Sequence, residues 1–66
     1  MTVKEDIAEL FHHLMAQITG VLEDAATQAS DHQAGSLPDT ISPLVTRVEE
    51  ALVLARAAQT IVDRAD

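Results

Sequence analysis

The sequence predicts an all-α fold, an antiparallel two-helix hairpin that dimerises into a four-helix bundle. Three observations predict it. Apolar residues recur at alternating steps of three and four through two long segments, and a stretch bearing glycine and proline separates them. The two segments also carry more apolar positions than one helix pair can bury. The chain has 66 residues and no cysteine, so neither a disulfide nor a thiolate metal site can supplement a small core. Oligomerisation or a partner is then the natural source of further stability.

The whole chain reads as one domain, with helix 1 over about 3–31, a hinge over about 32–41 and helix 2 over about 42–65. In the first segment Ile7, Phe11, Leu14, Ile18, Val21 and Ala25 form a heptad-like seam. Leu10, Met15, Leu22 and Ala29 widen it to the stripe of a bundle helix. Thr2 followed by Glu5 fits a capping box, and Glu5 and Asp6 suit the positive end of the helix dipole. Gly35 is expected just past the helix end with positive φ, and a helical turn near 38–41 would shorten the hinge. Ser42 and Pro43 read as N-cap and first residue of helix 2, with Asp39 or Thr40 as earlier capping choices.

In helix 2 the seam is assigned to Ile41, Leu44, Val48, Ala51, Ala55, Ala58, Val62 and Ala65, with Val45, Leu52, Leu54 and Ile61 at its edges. Folding the chain back near residue 36 pairs positions whose numbers add to about 72. Large then meets small: Leu14 faces Ala58, Ile18 faces Ala55 or Leu54, Val21 faces Ala51, Ala25 faces Val48 and Ala29 faces Leu44. The side chains left over mark an interface, namely Leu10, Met15, Leu22, Val45, Leu52, Leu54 and Ile61.

Charge narrows the function. Eleven acids against four Lys and Arg leave a formal charge of −7, with both halves acidic, which disfavours phosphate backbones and anionic lipid. One Phe and no Trp or Tyr leave no stacking platform for single strands. The longest unbroken apolar run is Ala51 to Ala55, too short to span a bilayer, and the opening Met-Thr-Val-Lys-Glu-Asp lacks the shape of a signal peptide. A cytoplasmic location is expected, with neither nucleic acid nor membrane as partner.

Motifs that carry chemistry are few. Glu9-Leu10-Phe11-His12 has the Glu-x-x-His spacing of ferritin-like carboxylate sites, and His13 lies four residues from Glu9. These side chains fall opposite Phe11 and Leu14, and helix 2 offers no matching motif, so the expected reading is a solvated face, with a metal-binding helical module as the alternative. Ser30-Asp31-His32 contains the residue types of a hydrolytic triad, but a hairpin provides no cleft in which they converge. Arg47, Arg56 and Arg64 follow no single stripe. In outline the chain resembles two kinds of protein. One is the plasmid-type RNA regulators of the Rop kind, hairpins that dimerise into four-helix bundles; the other is the small helical co-chaperones of type III secretion. The resemblance covers architecture and no motif, and an RNA regulator would need bases along helix 1 where this chain offers Lys4 and otherwise acids. The function expected is that of a small acidic non-enzymatic protein-protein interaction module, of adaptor, regulator or co-chaperone type. It needs no cofactor and binds itself or another protein's helices through an apolar helix face. A Rop-like nucleic-acid regulator is the further alternative.

Overall fold

The computed structural model describes residues 3–65, so the proposed cap by Thr2 lies outside the described residues. Two helices, α1 (Val3–Gln33) and α2 (Ser42–Arg64), pack against each other, and the described residues contain no strand. At 1.5 Å per residue the 31 residues of α1 extend about 46 Å, and the molecule is correspondingly a rod of 53 × 15 × 12 Å. Its radius of gyration is 15.7 Å, against about 11 Å for a compact globule of this length. No helix among the described residues is long and apolar enough to cross a membrane.

The α1 seam follows the sequence period. Ile7, Phe11, Leu14, Ile18 and Val21 are half-buried, and Ala25 is buried. Opposite them, Ala51 and Ala58 are the buried residues of α2, with Leu44, Leu54 and Ile61 half-buried. Leu44, Ala51 and Ala58 thus hold the seam places the sequence assigns them, and the second row of the α2 seam differs by one residue. Val48, Ala55 and Val62 are exposed, while Leu54 and Ile61 take the seam. One residue turns a helix by about 100°, and apart from Arg47 both rows are apolar, so the period alone cannot choose between them. Burying Leu and Ile in place of Ala and Val removes more apolar surface from water, which favours the observed choice. The shift leaves the level of pairing intact. Asp24 and Arg47, which pair across the hairpin, have numbers adding to 71, close to the expected 72.

The hinge departs from expectation in three ways. Helix α1 runs on to Gln33, Gly35 does not take positive φ, and residues 38–41 form no helical turn. An open connection of eight residues has enough length to reverse the chain without a left-handed glycine. The cap of α2 also shifts by one. Ile41 is the N-cap residue, and its carbonyl accepts the first helical bond from Val45 N at 3.0 Å. No side chain caps from that position. Instead Thr40 Oγ1 accepts from Ser42 N at 3.0 Å and donates to Ser42 Oγ at 2.9 Å, so a hydroxyl one residue earlier satisfies an orphan amide. Pro43 sits in the first turn, where its missing N–H costs nothing.

Candidate functional site

The two flanks of the hairpin differ in chemistry, and two surface grooves identify which residues share each flank. On one flank Gln17, Gly20 and Asp24 of α1 line a groove of about 510 Å³ with Arg47 and Glu50 of α2, above Val21 and Leu54. On the other, at the open end of the hairpin, Ile7, Ala8 and Phe11 line a groove of about 290 Å³ with Ile61, Val62 and Ala65, together with Lys4 and His12. Residues seven apart on a packed helix share a flank, so these anchors extend to full rows.

The polar flank is organised by Arg47. Its Nε donates to Asp24 Oδ2 at 2.6 Å and its Nη1 to Glu50 Oε2 at 2.8 Å, while Gln28 Nε2 donates to the same Asp24 oxygen at 3.0 Å. The position is one where the seam spacing calls for an apolar side chain. The arginine stem can cover the seam there while the guanidinium reaches the flank. The hydrogen bond to Glu50 and then that to Asp24 raise the Arg47 pKa above its ordinary value. A raised value stabilises the fold at every pH below the unfolded pKa and is lost only as pH climbs through the folded one, so this ion pair brings no pH dependence through Arg47 near neutrality. The groups are about half exposed, and solvent screens them accordingly.

Apart from Lys4 and His12 at the open end, the other flank is built on two apolar rows. From α1 it takes Ala8, Met15, Leu22 and Ala29; from α2 it takes Ile41, Val48, Ala55 and Val62. Val45 and Leu52 lie just outside the second row by helical spacing. Leu22, Ile41, Val45, Val48, Leu52 and Val62 are all large and exposed.

This placement divides the seven interface candidates into three groups. Leu22, Val45 and Leu52 lie exposed on the apolar flank, with Met15 half-buried beside them. Leu54 and Ile61 are half-buried in the seam between α1 and α2. Leu10 is exposed but falls seven residues before Gln17, on the polar flank, so it does not share a surface with Leu22. Val48, Ala55, Val62 and Ile41 were assigned to the seam from sequence and belong instead to the apolar flank. The signal that could have found them was the second apolar row of α2 at equal spacing.

Glu9, His12 and His13 are exposed, and the His12 ring meets Phe11 edge-on at 6.1 Å. Among the described residues no group of three or more His, Asp or Glu side chains is placed to hold a metal ion. Ser30, Asp31 and His32 are exposed in the last turn of α1, where successive side chains point about 100° apart and do not meet. Arg56 and Arg64 are exposed, Arg56 on the outer side of α2 and Arg64 in the seven-residue row of Glu50. Comparison of the chain with protein-family models, with curated proteins and with solved structures returns no match.

Proposed function

We propose that the chain is a small, acidic, cytoplasmic, non-enzymatic protein-protein interaction module of adaptor, regulator or co-chaperone type. Its apolar flank packs against the same flank of a second copy, completing a four-helix bundle. The observation that carries this reading is the mismatch between what the hairpin buries and what it exposes. Its buried residues are Ala25, Ala51 and Ala58, so none larger than alanine is buried among the described residues, while Leu22, Ile41, Val45, Val48, Leu52 and Val62 stand in solvent on one flank. The chain exposes 5223 Å², whereas a compact protein of 7.1 kDa exposes about 4,100 Å². Two chains thus carry an excess of roughly 2,200 Å², which lies within the range of obligate homodimer interfaces. Monomeric soluble proteins seldom leave an apolar patch of this kind uncovered.

Two leucines of near-equal exposure on opposite flanks provide the test. Leu22 is 49% exposed on the apolar flank and Leu10 is 52% exposed on the polar one. Leu22→Glu is expected to abolish association, because it places a carboxylate in a desolvated interface, while Leu10→Glu is expected to leave association intact. Equal behaviour of the two variants in light scattering would remove the reading. A folded monomer that associates only with helices of a different protein would transfer the flank to a heteromeric partner and reject the second copy.

A further inference from the structure

We infer that the second copy docks with its hinge at the same end of the bundle, so that α1 of each chain lies over α2 of its partner. The inference rests on the interface reading above and adds the arrangement. Along the apolar flank the two rows run level, since Ala8 and Val62 line one groove and Asp24 meets Arg47 two turns before the hinge. Seven-residue steps then set Met15 beside Ala55, Leu22 beside Val48 and Ala29 beside Ile41. At every level one side chain is larger and one smaller, and the larger one belongs to α1 in the middle and to α2 at the ends.

A two-fold symmetric pair can bring this flank onto itself in two ways. With the axis along the helices the hinges coincide, and each level of α1 covers the same level of the partner's α2. Met15 then rests over the partner's Ala55, Leu22 over the partner's Val48, and Ala8 over the partner's Val62. Each contact then joins a larger side chain to a smaller one, by a wide margin for Met15 over the partner's Ala55 and the narrowest for Leu22 over the partner's Val48. With the axis across the helices the hinges lie at opposite ends and α1 covers the partner's α1. Met15 then meets the partner's Leu22 and Ile41 the partner's Val62, while Ala8 meets the partner's Ala29 and Ala55 the partner's Val48. Bulky side chains face bulky ones at some contacts and small face small at others, both destabilising.

Charge permits the approach. The rows at the outer edge of the flank carry Glu5, His12, Thr19 and Ala26 on α1 and Val45, Leu52 and Gln59 on α2, so the acid among them, Glu5, stands at the open end. Glu23, Glu49 and the Asp24–Arg47–Glu50 cluster lie on other faces. Two chains of charge −7 can therefore meet along the middle of this flank without carboxylates in the contact.

The chain has no cysteine, so a single introduced thiol places a probe at one site per chain. Leu37 stands in the hinge and is 96% exposed, which makes Leu37→Cys a label site that disturbs no packing. Spin-labelled full-length chain, measured by double electron-electron resonance, is expected to give a distance of about 20–30 Å, from neighbouring helices about 10 Å apart plus the label arms. A distance near the full 53 Å length of the rod would overturn the inference. Asp63→Cys at the open end supplies a second reading, again short if the hinges coincide and long if they do not. Scattering on the same samples separates the two failures: a dimeric mass with a long distance rejects the arrangement alone, while a monomeric mass rejects the interface and the arrangement with it.

Discussion

The two flanks of this hairpin come from the same two helices, separated only by rotation about their axes, yet they treat water in opposite ways. On the polar flank Arg47 draws Asp24 and Glu50 into one cluster, and every group there remains in contact with solvent. On the apolar flank Leu22, Val48 and Leu52 have no such compensation. Polar cross-links of this exposure add little to stability but tolerate water; exposed aliphatic rows add much once water is removed. The polar flank meets water through paired charges, with Leu10 exposed beside them, whereas the apolar flank meets it chiefly through aliphatic side chains, the side that the proposed second copy would cover.

The sharpest way to break the comparison is a charge on the apolar side. Leu22→Glu is expected to weaken association by at least about 100-fold, on the order of 3 kcal/mol or more per buried carboxylate. Helicity measured by circular dichroism should fall at low concentration and recover as the chain is concentrated, since folding and assembly are linked by mass action. Next comes the seam. Ala58 is 3% exposed, so Ala58→Leu is expected to overpack the helix pair and lower stability by about 1–3 kcal/mol in a thermal melt.

A smaller effect of opposite sign is expected on the polar flank. Gly20 lies in the interior of α1, and a Cβ built there meets nothing within 4 Å. Gly20→Ala should raise stability by about 0.5–1 kcal/mol through helix propensity, without altering association. Smallest of all is Arg47→Ala. It removes two exposed ion pairs, and its effect on the melting temperature should shrink further in molar salt, where such pairs are screened. An Arg47→Ala effect larger than that of Ala58→Leu would reverse the ranking of the flanks.

Much of the fold was legible in the residues. The step of three and four from Ile7 to Ala25 set the α1 seam, and folding back near residue 36 set a level close to that marked by Asp24 and Arg47, although two of the size pairs, Ile18 with Ala55 and Ala25 with Val48, involve α2 residues that lie outside the seam. The second row of the α2 seam was not legible, because Val48, Ala55 and Val62 repeat with the same period as Arg47, Leu54 and Ile61, and only the packed partner distinguishes them. An arginine in a seam position further disguised the true row. The same one-residue ambiguity placed Leu54 and Ile61 among surface candidates and kept Val48 and Val62 off that surface. Leu10 was grouped with Leu22 because both flank one stripe; a stripe has two edges, and these leucines lie on different ones. At the start of α2 the N-cap position differs by one residue from the Ser42 reading. The hydroxyl that accepts from the orphan amide belongs to Thr40, one of the earlier choices, because Thr40 and Ser42 offer the same chemistry two positions apart.

The central claim is that a second chain covers the apolar flank, and the mass of the unaltered chain in solution tests it most directly. The chain lacks Trp, Tyr and Cys, so refractive index must report concentration. Multi-angle light scattering at tens of micromolar should give twice 7.1 kDa, with helicity falling as dilution dissociates the pair. A mass of 7.1 kDa with full helicity retained on dilution would contradict it.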